Sequence, residues 1–166
     1  MDLNHLVGGA VYGATFAFVA IAAPRFTRHL LAAVLVVAAL CYVAFAVAAH
    51  AGAPWIVAEL AGVGIYGYAA MRGLRGSAWW LVAGYALHPI WDVTLHLAGP
   101  GGHFSPEWYA TSCLTYDLFV AGIAAIAILI GTHLTDSPAR TLTVVSPLRP
   151  STCTCTDCCT MGACAA

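Results

Sequence analysis

The sequence predicts an all-α protein: a bundle of five transmembrane helices with its N-terminus outside, its C-terminus cytoplasmic, and a disordered cysteine-rich tail. Three observations carry this expectation. Of 166 residues, 61% are apolar and only 8% charged, against about 25% charged in an ordinary soluble domain, and the mean hydropathy is +0.86. Five apolar stretches approach the ~20 residues that a bilayer core requires of a helix. The six basic residues are all arginines, and they fall on one side of a five-span arrangement. Too little charge remains to coat a water-facing surface or to form the basic patch of a nucleic-acid binder. That excludes a typical soluble enzyme, a disordered chain and a nucleic-acid partner, and leaves the lipid bilayer as the surroundings.

The spans read in order as Leu6 to Ala23, Leu30 to Ala49, Trp55 to Met71, Ala78 to Leu97 and Cys113 to Gly131. They are continuously apolar, whereas strands of a membrane barrel alternate with period two. A signal peptide starts with a basic region; here Arg25 and Arg28 come after the first apolar run, so that run reads as a retained span. Arg72 and Arg75 separate spans three and four, and Arg140 and Arg149 follow span five. Positive residues stay cytoplasmic, which sets the orientation and places the protein in the plasma membrane as a multi-pass chain. Residues 1–133 then form the bundle, 134–150 a disordered linker and 151–166 a cytoplasmic tail.

With this orientation the polar residues acquire depths. Asp92 in span four, Asp117 in span five and Glu59 in span three each lie about five residues from the outer end, roughly 7–8 Å deep at 1.5 Å per residue. Three acids on three helices thus share one level, with His88 below it and His96 and Cys113 above. His5, His50, His103 and Glu107 also belong to the outer side, and His29 and His133 to the inner side. His88, Asp92 and His96 follow the spacing i, i+4, i+8, which keeps them on one helical stripe. Ionisable groups in a membrane are costly and face the bundle interior, so the stripe should face Glu59 and Asp117. Pro89 removes a backbone donor and should disturb the helix one turn earlier, near Tyr85.

His88, Asp92, His96, Asp117, Glu59 and His103 are therefore the candidate ligands for zinc or another divalent transition metal, which imidazole and carboxylate suit. His88 and His96 stand about 12 Å apart along an ideal helix, so each pairs with Asp92 rather than with the other around one ion. The competing reading is a hydrogen-bonded polar core that fixes helix register. In the outer loop, Ser105-Pro106-Glu107 reads as a helix start with serine as cap and proline at the first position. Trp108 and Tyr109 there read as an interfacial anchor, or as part of a lid that brings His103 or Glu107 over the pocket.

The tail places Cys153, Cys155, Cys158, Cys159 and Cys164 within twelve residues. A cytoplasmic tail keeps its thiols reduced, and closely spaced thiolates bind soft metals such as Cu(I) or Zn. The spacing is not that of a paired zinc-finger motif, and the other reading is a variable appendage.

The segment GYALHPIWDVTLH, followed by PEWYATSCLTYDLFVAG, resembles an uncharacterised family of small bacterial multi-span integral membrane proteins. Its pattern, H-x-x-W-D-x-x-x-H, then P-x-W-Y, then Y-D, is met by His88, Trp91, Asp92, His96, Pro106, Trp108, Tyr109 and Asp117. The resemblance extends over residues 5–133, excludes the tail, and implies a polar site without assigning a reaction. A second similarity, to membrane-embedded zinc hydrolases of the alkaline ceramidase kind, implies zinc held by His and Asp on spanning helices. Five spans and the missing serine–histidine pattern depart from that family. Three functions fit these residues: a metal- or proton-binding pocket with a binding or transport-accessory role, which needs a homodimer to make a complete transporter; an intramembrane zinc-dependent hydrolase of a lipid or amide; and a structural subunit docking on a partner membrane protein.

Overall fold

The computed structural model describes residues 2–131 and 134. The linker, the tail cysteines Cys153, Cys155, Cys158, Cys159 and Cys164, and also His133, Arg140 and Arg149, lie outside the described residues. The elements are α1 (Leu3–Ile21), α2 (Thr27–Ala48), α3 (Ala53–Arg75), α4 (Trp79–Trp91), a π-helical turn (Asp92–Leu97), a short 3-10 turn (Pro100–His103) and α5 (Glu107–Leu129). There are five α-helices and, among the described residues, no strand.

Three helices are long and apolar enough to cross a membrane: α1, α2 and α5. Of the other two, α3 has 23 residues but carries Glu59, Arg72 and Arg75. In α4 the regular helix stops after 13 residues, and the π turn continues it. The surface of the bundle is correspondingly apolar, with Val11 and Phe18 on α1, Val37 on α2, and Leu118 and Ile126 on α5 exposed. Exposed side chains of this kind are the expected face toward lipid.

Local structure corrects four details of the sequence reading. The first helix includes His5, because the Asp2 carboxylate caps the chain by accepting the Asn4 N–H at 3.0 Å. The helix start read in the outer loop and the span from Cys113 are one element, a fifth helix that runs from Glu107. Ser105 does not cap it: the Pro106 carbonyl accepts the first helical bonds from Tyr109 (3.0 Å) and Ala110 (3.4 Å), which makes Pro106 the cap residue. The Ser105 hydroxyl is left buried without a hydrogen-bond partner. Finally, α4 is regular through Tyr85 and Pro89, and the departure from α-helical bonding comes downstream, at Asp92–Leu97. There the Ala98 N–H reaches back five residues to Val93 at 2.8 Å, the wide bonding pattern that defines a π turn.

The helices pack so that α4 lies between α3 and α5, α1 lies along α5, and α2 lies along α3. Between α1 and α5 the backbones touch. A Cβ on Gly9 would stand 2.1 Å from the Ser112 carbonyl oxygen, and one on Gly13 2.4 Å from that of Tyr116. Small residues four apart allow this approach in membranes, and Thr115 donates across the same seam to the Leu6 carbonyl at 2.8 Å. Leu31, Leu35, Leu81, Tyr85 and Val120 fill the middle, with the Tyr85 hydroxyl donating to the Leu31 carbonyl at 2.8 Å. At the arginine-bearing end, Arg28 donates to the Gly76 carbonyl at 2.8 Å and to that of Leu134. This ties the start of α2 to the end of α3 and to the chain beyond α5.

Candidate functional site

The π turn, α3, α4 and α5 converge toward the end of the bundle that carries the Pro100–Glu107 loop. In α4 and its continuation, three polar residues project inward and are buried: His88, Asp92 and His96. Asp117 on α5 and Glu59 on α3 are buried with them.

These side chains form two groups. In the deeper group, His88 Nδ1 lies 2.8 Å from Asp117 Oδ2 and 3.4 Å from Asp92 Oδ2, and all three side chains have 0% exposure. In the Nδ1–H tautomer the imidazole donates to Asp117. This leaves His88 Nε2, both oxygens of Asp92 and Oδ1 of Asp117 buried without a hydrogen-bond partner. One ligand atom from each of the three residues lies within 4.8 Å of the others, a separation that can hold a metal ion. The Tyr66 ring meets His88 edge-on at 4.7 Å, closing one side.

In the second group, His96 Nε2 lies 3.4 Å from Glu59 Oε1, and neither atom has a hydrogen-bond partner. Glu59 Oε2 accepts from the Trp91 indole N–H at 3.3 Å. The Trp91 ring rests on Gly62, where a Cβ would come within 3.0 Å of it. The Tyr42 ring stacks on the His96 imidazole with centroids 4.0 Å apart and planes 6° from parallel. Its hydroxyl is also buried and turned toward Asp92.

The wide turn explains the division. On a regular helix His88, Asp92 and His96 would follow one stripe; with a π turn inserted, Asp92 joins His88 while His96 turns to Glu59. The glycine loop after it supports the ring, since a Cβ on Gly101 would stand 2.8 Å from His96 Nδ1. His103 belongs to neither group. Its Nδ1 lies 2.6 Å from the Pro100 carbonyl, and its ring packs edge-on against Trp55 and Phe104. Cys113 is buried one helical turn before Asp117, beside Tyr109.

Two features that sequence reasoning passed over are the roles of Tyr42 and Trp91. Tyr42 sits in a continuously apolar run, where an aromatic residue reads as core, and no local pattern distinguishes it. Trp91 belonged to the quoted motif but had no assigned contact. Gly99, Gly101 and Gly102 signalled a close chain reversal after the stripe, which packs against residues 94–96, but not the wide turn itself.

Fold and site together define a helical membrane protein with a buried carboxylate–imidazole cluster. The chain belongs to a family of unknown function, DUF6010, whose model matches residues 4–132. No curated protein and no solved structure matches it.

Proposed function

We propose that the chain is a plasma-membrane metal-binding protein whose His88, Asp92 and Asp117 hold one divalent transition metal, of the zinc class, in a binding or transport-accessory role. In this reading the N-terminus and the loop end face outward, the C-terminus is cytoplasmic, and the pocket loads from outside. One observation carries it. Two carboxylates and one imidazole are fully buried together, and several of their polar atoms lack partners. Uncompensated charge inside a membrane is strongly unfavourable. A divalent cation on two carboxylates and a neutral imidazole brings the group to zero charge and takes up the free lone pairs. Ligand set and chemistry suit zinc with an open fourth position. The cysteine tail is a separate soft-metal binder in the same reading.

The test is elemental analysis of the full chain purified in detergent, with Cys153, Cys155, Cys158, Cys159 and Cys164 replaced by serine. One tightly held metal per chain is expected to survive purification, and none in Asp92→Asn or Asp117→Asn. If the serine variant with an intact pocket holds no metal and binds none on addition, the metal reading is overturned.

A second reading is an intramembrane hydrolase of a lipid or amide. It is favoured by a cleft of about 470 Å³ that reaches His96, Ser105 and Glu107, and by the open metal position, where water can be activated. Lipid turnover lost on chelation and restored by zinc supports it. Turnover that survives His96→Ala combined with Asp92→Ala overturns it.

A further inference from the structure

Glu59 and His96 are the buried polar pair that the deep cluster does not use. We propose that they form a second, weaker divalent-cation site, an outer station through which the metal passes between the cleft and the deep cluster. This rests on the reading of His88, Asp92 and Asp117 as a metal site.

The ligand spacing is already in place. Two donors bound to tetrahedral zinc at ~2.0–2.2 Å stand roughly 3.3–3.6 Å apart, and His96 Nε2 and Glu59 Oε1 are separated by 3.4 Å. Both atoms are buried without a hydrogen-bond partner, in side chains only 0% and 1% exposed. Both side chains are also held. Trp91 fixes the other oxygen of Glu59, while Tyr42 on one side and the Gly101 backbone on the other confine the imidazole.

Position supplies the second argument. His96 forms part of the wall of the 470 Å³ cleft beside Gly102, Ser105 and Glu107, and its side chain lies covered behind that wall, which makes it the buried candidate ligand next to the cleft. On the inward side Glu59 and His88 line one narrow interstice with Tyr42, Tyr66 and Trp91, with no room for a water molecule. A cation moving from station to cluster therefore sheds its water first, and the carboxylate and imidazole of the station replace part of that shell. Two protein ligands hold a metal more loosely than three. A conducted ion needs a site favourable enough to enter and weak enough to leave.

The experiment is titration of the same full-length serine variant with Co(II), followed by visible absorbance at equilibrium and by stopped flow. We expect two equivalents, one tight and one weak. Glu59→Gln and His96→Gln should each lose the weak equivalent, keep the tight one, and load it about tenfold more slowly or worse, comparable to the 10–100-fold effect of supporting groups at metal sites. Retention of the tight equivalent also reports that the variant has folded, and the two substitutions provide independent chances of that. Asp117→Asn should do the reverse, losing the tight equivalent and keeping the weak one. A single equivalent in the intact pocket, or unchanged loading rates in both Glu59→Gln and His96→Gln, overturns the station while leaving the deep site standing. No Co(II) binding at all overturns the deep-site reading instead.

Discussion

Along the seam between α1 and α5, the backbones meet at Gly9 and Gly13, and the Thr115 hydroxyl finds the Leu6 carbonyl. Along the seam where α4 and its π turn meet α3 and α5, the chain buries three carboxylates and two imidazoles and leaves several of their atoms without partners. Both seams lie inside the same bundle and share α5. In the first, the close approach of two backbones serves helix association. In the second, every helix contributes a polar group and the group's requirements are not met by the protein. Native proteins pair nearly all buried polar atoms, so incomplete pairing among the ionisable side chains of this seam supports the proposal that a ligand completes it.

Substitutions on the two seams should separate cleanly. Asp117→Asn has the largest expected effect: zinc affinity of the serine-tailed chain falls by more than about 100-fold, since even outer-shell partners cost 10–100-fold, while the helix content seen by circular dichroism is retained. Equilibrium dialysis measures the first and guards against misfolding through the second. Next is removal of the metal itself. Zinc at ~100 times its dissociation constant should stabilise the native chain by about 2.7 kcal/mol, read as a higher Tm that chelation reverses and that Asp92→Asn abolishes. On the other seam, Gly13→Ala places a Cβ against the Tyr116 backbone and should cost about 1–3 kcal/mol, as overpacking does. It should lower Tm without changing metal bound per folded chain. Smallest is Thr115→Ala, which removes one hydrogen bond worth about 0.5–1.5 kcal/mol, again with metal binding intact. If the glycine or threonine variants lose metal as readily as the aspartate variant, the two seams are not distinct.

Much of the architecture could be read from the residues because lipid is a demanding solvent. Five helices follow from five apolar runs, and Glu59, His88, Asp92, His96 and Asp117 stood out because charge is costly there. The helix start at residues 105–107 was legible, but its continuity with the span from Cys113 was hidden, since Glu107, Trp108, Thr111 and Ser112 are not strongly apolar. A helix can extend past the hydrocarbon layer wherever its backbone bonds close. The π turn was hidden for another reason. Spacing rules assume a constant repeat, and an altered repeat is set by tertiary packing at Gly99–Gly102 rather than by the stripe itself. His103 was grouped with the ligands from loop proximity alone, but its ring instead packs against Trp55 and Phe104. The Gly9–Gly13 spacing was visible in the sequence and carried a meaning that only the close approach of α5 makes evident.

The π turn also governs what length changes the chain can absorb. Deleting one residue within Asp92–Leu97 would restore an even winding. The helix on either side would keep close to its present phase, because the wide turn already holds one residue more than a regular helix needs. A deletion in the regular part of α4, before His88, would instead rotate the stripe by about 100° relative to the start of the helix and shift it by about 1.5 Å along the axis, turning its polar groups from their partners although no side chain in the polar seam had been altered. The wide turn is therefore a place where a one-residue change can be absorbed without disturbing the elements around it.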